Sequence, residues 1–502
     1  MESLFSFMRY FIYIFIFLLS TQDAYSNFEL NNNIQNAYSN IISLNFKSAK
    51  KFLDKERLVN PKNGLIYLNE NYIDFLKIII EENQDFYDKT RKNKNIRINH
   101  LKKTDQSSPY FLYSQAEINI QWAFTRIKFN QYFLAAYELQ KAYVLLKKNE
   151  RLFPDFILNK KPIGLLNILI GAIPDEYSWI LNIVGIEANI NSGFEELYEV
   201  LKNCETNQEL EIYKSEILFY LSFLEMNMRN NKKAKQDLLV KIENCCVNNN
   251  LMIFSAARLS NKLGQNDRTV KILENRIENE HQFEFHYLDY LYAMSKLYQL
   301  DFKIASDYFL KFVNSFNGQN YIKSAYHKLF LISYLTDSID DQYLYRELVL
   351  EKGSSLIDED IQAENDINKE NLNYDLLLSR LLFDGGYYSM ALTNLNKINI
   401  ESFDKNSDYE IEYYYRIARV SQKMIEKNKD KISLFSKVLD LENTSNLYYH
   451  PMSALQIGLE YEIMGDKKNA VNFFNKVFYY KDYNYENGIK KSAKAGINRL
   501  LN

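Results

Sequence analysis

The sequence predicts an all-α chain of stacked antiparallel helix pairs, and three observations carry that reading. Only six prolines and fourteen glycines occur in 502 residues, and no proline falls between Pro174 and Pro451, which leaves room for nearly continuous helix. The stretch Pro451–Asn484 sets small residues, Gly458 and Ala470, where two helices must cross. It sets large ones, Tyr461 and Phe474, where hollows need filling, and Gly465-Asp466 at the turn. Related patterns recur upstream with starts at 178, 215, 250 and 286, one helix pair apart. A chain of this length exceeds one compact core, so a repeat array or several domains is expected.

In chain order, residues 1–26 read as a signal peptide. Arg9 precedes the uninterrupted apolar run Tyr10–Leu19, and Ala24-Tyr25-Ser26 forms a small-x-small site with cleavage between Ser26 and Asn27. Ten apolar residues reach only about 15 Å as helix, half a bilayer core, so no transmembrane span is expected. No cysteine adjoins the cleavage site, so no lipid anchor is encoded there. Residues 27–110 read as a helical segment, with Ile34, Ala37, Tyr38, Ile41 and Ile42 on one stripe. It includes a basic linker from Lys89 to Lys103. That stretch is either a solvated connection or a docking site for an acidic partner or lipid headgroups; lacking an apolar stripe of its own, it is read as the former.

Residues 111–153 form a first helix pair, with Ala123, Ala135, Leu139 and Ala142 in packing slots. Residues 154–177 hold three of the six prolines and read as an irregular Pro/Gly-rich insertion, with a partner-binding lip as the other reading. Central repeats occupy 178–371, C-terminal repeats 372–484, and 485–502 a capping helix with Ile489, Ala493, Ile497 and Leu500 facing the array. Tyr321–Glu351 is helical without a clean turn signal, and Ser192-Gly193 is read as a turn.

Taken slot by slot, Pro451–Asn484 resembles a tetratricopeptide repeat (TPR): 34 residues, Ile457, Gly458 and Tyr461 on the first helix, and Ala470, Phe474 and Val477 on the second. It departs from the pattern at Ala454, where Trp is usual, and Asp482, where Pro is usual. The resemblance implies a TPR-like right-handed α-solenoid that binds a protein or peptide on its concave face. Slots on the first helices place Glu216, Phe219, Phe223 and Met226 there in one copy, and Tyr287, Tyr290, Met294 and Leu297 in another. Aromatic and Met side chains suit an apolar peptide, although close winding would bury the same residues as core. The chain resembles exported TPR proteins of double-membrane bacteria, which implies a periplasmic or envelope-associated protein, soluble once the leader is removed. Glycan or peptidoglycan association is the alternative, and an intracellular peptide sensor a third.

Composition narrows function further. With 61 basic and 64 acidic residues the net charge is −3, which argues against nucleic acid. His100, His281, His286, His327 and His450 are scattered, and no H-E-x-x-H, C-x-x-C, phosphate loop or G-x-S-x-G occurs, so neither catalysis nor a metal or other cofactor is expected. The acidic cluster around Asp358 lacks calcium-loop spacing. Cys204, Cys245 and Cys246 read as buried small apolar residues, with a bridge from Cys204 to one of the others left open. The abundance of Asn, Lys, Ile and Tyr is read as codon bias and given no role.

Overall fold

The computed structural model describes residues 28–173, 179, 185, 188–229, 231–245, 249–277, 282–369, 371–424, 428–442 and 447–501. The signal peptide, its cleavage site and Cys246 lie outside these residues, as does the side chain of Cys245. The described residues are helices and loops, with no strand among them, in the TPR-like α-solenoid class. They fall into two compact units. The first ends at Leu259 and takes back Arg276–Phe285; the second comprises Ser260–Asn275 and His286–Asn502.

In the first unit, α1 (Asn32–Ile42) and α2 (Phe46–Val59) form a hairpin, followed by α3 (Leu65–Glu81) and two short helices, α4 (Gln84–Thr90) and α5 (Asn93–Leu101). A long hairpin comes next, α6 (Pro109–Lys128) with α7 (Tyr132–Leu152), and then α8 (Lys160–Gly171), α9 (Ile190–Thr206), α10 (Lys214–Met228), α11 (Lys232–Cys245) and α12 (Asn250–Lys262), whose residues from Ser260 on belong to the second unit. The basic stretch therefore runs through α4 and α5. Lys94 and Arg97 are buried there, because Lys94 finds Glu138 and Arg97 meets Asp74 at 2.7 Å. Part of the Pro/Gly-rich segment is regular: α8 crosses α9 so closely that a Cβ on Gly164 would lie 2.7 Å from the Gly193 carbonyl oxygen. Ser192 and Gly193 thus belong to the first turn of α9 rather than to a connecting loop. The returning segment joins this unit through the Phe283 amide, which donates to the Leu44 carbonyl at 2.8 Å, and through its ring, 5.0 Å from Phe46.

The second unit begins with α13 (Asn266–Glu274) and continues as hairpins: α14 (Tyr287–Tyr298) with α15 (Phe302–Ser315), and α16 (Ile322–Leu335) with α17 (Ile339–Glu351). After α18 (Asp358–Lys369) come α19 (Tyr374–Asp384) with α20 (Tyr388–Leu395), α21 (Asp408–Met424) with α22 (Asn428–Leu439), and α23 (Tyr449–Ile463) with α24 (Lys467–Lys476). Helix α25 (Glu486–Leu501) packs Ile489, Ala493, Ile497 and Leu500 against the last pair. Between α16 and α17 the chain turns at Thr336–Ser338, with Asp337 at φ 57° taking the left-handed role usually given to glycine.

Asparagine has a structural use here. Asn31, Asn45, Asn83, Asn189 and Asn373 each cap a helix by accepting a backbone N–H of the first turn. Asn31, Asn33 and Asn63 also donate their amides to the fully buried Glu56 carboxylate.

Phe474 is clamped between two glycines. A Cβ on Gly458 would sit 2.6 Å from Phe474 Cδ1, and one on Gly496 would sit 2.5 Å from Cε2 on the opposite side. The phenyl ring, rather than Ala470, therefore fills the close approach at Gly458. Replacing Gly458 with Ala gains roughly 1 kcal/mol of helix propensity but overpacks a ring with nowhere to move, at a cost of about 1–3 kcal/mol. We expect Gly458→Ala to lower the urea midpoint and a second change, Phe474→Leu, to recover part of the loss. A midpoint raised by Gly458→Ala alone would show that the crossing is looser than this.

Candidate functional site

The sequence-derived surface residues fall on two helices, one in each unit. On α10, Phe223 is 46% exposed, Phe219 is half-buried with its ring 6.4 Å from Phe254, and Met226 is buried. On α14, Tyr287 and Met294 are half-buried, whereas Tyr290 and Leu297 are 4% and 0% exposed. Tyr290 packs against Phe309 and Phe312 and shares a 2.8 Å hydrogen bond with the Ser324 hydroxyl, so it is a core residue. Leu297 belongs to the same cluster. Phe219, Phe223, Tyr287 and Met294 are the four of the seven that keep accessible surface.

Glu216, at the first slot of the α10 copy, turns inward and is 3% exposed. It accepts Lys161 Nζ at 2.6 Å on Oε2, and the hydroxyls of Tyr220 at 2.7 Å and Tyr72 at 2.9 Å on Oε1; Tyr38 also donates to Oε2. Glu117 stands on the other side of Lys161, with Oε1 3.3 Å from Nζ. Tyr72, Tyr113 and Tyr220 present their rings to the same ammonium at 5.6–5.9 Å. One lysine on α8 thus sits between two glutamates from α6 and α10, inside a cage of tyrosines.

The hydrogen-bond count in this cage is overdrawn by one proton. Tyr72 oxygen lies 2.9 Å from each of Lys161 Nζ, Glu117 Oε2 and Glu216 Oε1. Lysine can only donate, and a single hydroxyl proton serves one carboxylate at a time. The remaining contact is satisfied when one carboxyl carries a proton of its own. Burial raises the Glu117 carboxyl above its usual range, with the Glu216 charge adding to it and Lys161 working against it. Burial also opposes the Glu216 charge, but Lys161, Tyr38 and Tyr220 overcome it and hold that carboxyl low. Lys161 stays charged, since the two glutamates outweigh its desolvation. Of the two carboxyls, Glu117 is thus the one whose environment favours carrying that proton.

The sequence carries a faint mark of this cluster: Glu117 is the one charged residue between Pro109 and Thr125 on α6, and Lys161 precedes an apolar run on α8. Neither spacing joins them. Nearby, Cys204 holds a free, buried thiol that burial pushes up to about 11, so it stays protonated at neutral pH. Among the described residues no group of His, Cys, Asp and Glu is arranged to hold a metal ion, and no helix is long and apolar enough to cross a membrane.

In the second unit a cleft of about 130 Å³ is lined by Tyr409, Tyr448, Tyr485, Asn371, Asn484 and Arg380, among others. Arg416 nearby is buried, with Nε and Nη2 on Glu412 Oε1 at 3.0 and 2.8 Å. Arg380 is half-buried, and Tyr448, Tyr485 and Asp384 support its charge against desolvation and the like charge of Arg416.

Residues 160–330, about a third of the chain, match the family described as Iml2/Tetratricopeptide repeat protein 39. Among solved structures, the chain is similar to the TPR domain of P58(IPK): 13% identity over 86% of this chain and 98% of that one, with a TM-score of 0.21. A superposition that loose transfers no site. No curated protein matches the chain. The family match over residues 160–330 accords with the TPR-like helix pairs, a fold that suggests a protein-interaction scaffold.

The cage makes two measurable demands. Lys161→Met leaves two carboxyl groups buried without their cation and should cost about 3–5 kcal/mol in urea denaturation. Glu117→Gln keeps the shape and the neutral charge and should cost far less. A carboxyl whose folded pKa is raised contributes stability that is full below its unfolded value of about 4.3. That contribution is lost as pH rises through the folded value. The stability of the wild type relative to Glu117→Gln should therefore fall with rising pH; a difference independent of pH would mean that Glu117 is ionised throughout.

Proposed function

We propose that the protein is a non-catalytic TPR scaffold of the cell envelope that holds a protein or peptide partner against the accessible aromatic and Met side chains of its first helices. The observation that carries this reading is Phe223, 46% exposed on a helix whose other face is closed core. An exposed aromatic of this kind buries large area at low entropic cost when a partner arrives. Phe219 beside it, and Tyr287 and Met294 in the second unit, extend the same chemistry. The family match over residues 160–330 supports a binding rather than a catalytic role. The envelope location rests on the leader at residues 1–26, and the repeat boundaries 111–153, 178–371 and 372–484 with a cap at 485–502 are part of the same proposal.

Glycan or peptidoglycan association is the second reading. The cleft beside Arg380 favours it, because tyrosine rings with planar amides and a guanidinium offer a sugar both stacking faces and hydroxyl partners.

Two substitutions separate surface from core. Phe223→Ala should leave the melting temperature nearly unchanged, because exposed positions usually shift stability by less than about 0.5 kcal/mol. Recovery of a partner by crosslinking in intact cells should drop sharply. Tyr290→Ala opens a cavity against Phe309 and Phe312 and should cost about 3–5 kcal/mol. Unchanged partner recovery with Phe223→Ala would remove this residue from the binding surface.

Export has its own check. Mass spectrometry of protein from fractionated native cells should find Asn27 at the mature N-terminus, and an intact Met1 would overturn the envelope assignment.

A further inference from the structure

The basic stretch from Lys89 to Lys103 lacks an apolar stripe of its own, and the structure places one beside it. Tyr87 of α4 stacks on Phe129 at 4.4 Å and donates to Gln131 at 2.7 Å. Lys94 of α5 is paired with Glu138, so both short helices flank the first turns of α7. At about 100° per residue, Phe133, Leu134, Tyr137 and Val144 of α7 fall in one arc with Lys141, Lys148 and Arg151. The four apolar side chains are 69%, 49%, 57% and 61% exposed. Phe133 stacks on Trp179 at 5.3 Å, which adds a second ring to the arc.

No carboxylate of α7 shares this arc. Glu138 is buried against Lys94 and Arg126, and Glu150 is held by Lys147 at 2.9 Å. Lys141, Lys148 and Arg151 form no ion pair with any described residue, nor do Lys89, Lys92, Lys102 and Lys103 on and beyond the flanking helices. The arc is also the crest of the helix, since Ala135, Leu139 and Ala142 on its opposite side are buried. A partner helix would need a hollow to seat its apolar side chains, and a crest offers none. A bilayer deforms around a crest, takes aromatic and branched side chains at the headgroup level, and meets the cations with phosphates.

We propose that this face of α7, with the cations of α4 and α5 beside it, docks the protein on an anionic lipid surface. The test is sedimentation of the full chain with phosphatidylcholine vesicles containing phosphatidylglycerol, against phosphatidylcholine alone. Wild-type protein should bind the anionic vesicles and release them at high salt, because exposed charge interactions are screened. Each interfacial cation contributes roughly fivefold to partition, so reversing Lys141, Lys148 and Arg151 together to Glu should lower it by roughly a hundredfold or more. Phe133→Ser with Tyr137→Ser should weaken binding at every salt concentration, with circular dichroism unchanged for both variants. The apolar leader is present in every protein compared, so binding retained by the charge-reversed variant belongs elsewhere and overturns the proposal. Wild-type protein that binds a polyglutamate peptide but not the vesicles would assign the face to an acidic protein and overturn it equally.

Discussion

The first unit depends on one buried ammonium. Lys161 brings together Tyr38 from α1, Tyr72 from α3, Glu117 from α6 and Glu216 from α10, elements separated in sequence by up to 178 residues. Apolar side chains at these positions would hold the helices together with similar strength but with less say over their register. A charged group in a low-dielectric interior accepts only the arrangement that satisfies every donor and acceptor, so the cage fixes how five helices meet. The raised Glu117 carboxyl belongs to the same constraint: with both glutamates ionised, a net negative charge would lie buried in the centre of the unit.

The second unit is organised differently. Its pairs are joined by rings packed against small residues, with Phe474 between Gly458 and Gly496 at one end and Tyr290 among Phe309, Phe312 and Tyr321 at the other. Aromatic residues here do the work that leucine and alanine do in many helical arrays. A large rigid ring fills a hollow completely only where its neighbour gives up a side chain, which is why glycine stands inside helices that would otherwise lose stability by it. Asparagine complements the rings by closing helix ends, so two residue types that look like compositional bias carry separate structural duties.

The surfaces follow from these two cores. On α10, Glu216 and Phe223 are seven apart and share one stripe of the helix, yet Glu216 is 3% and Phe223 46% exposed, so the cover over that stripe ends within two turns. On α14, the pull of Phe309 and Phe312 draws Tyr290 in and leaves Tyr287 and Met294 at the edge. On α7, the hairpin with α6 consumes one face and leaves an apolar and basic crest uncovered. Accessible apolar surface is thus what remains after each helix has met its packing obligations.

The all-α class and the helices from 287 to 315, from 449 to 476 and at the end of the chain were legible from the sequence, because they rest on local properties: proline scarcity, periodic apolar residues and small residues near a crossing. The turn at Asp337 was not legible, since a left-handed aspartate leaves no glycine signature. Which aromatics keep accessible surface could not be read either, as Tyr287 and Tyr290 occupy equivalent-looking slots and differ only in what packs against them. The Lys161 cage was wholly a tertiary decision. Hydrophobic periodicity acts over a few residues and is written in the chain, whereas pairing one lysine with carboxylates 44 and 55 residues away is decided only when desolvation makes every unpaired charge costly.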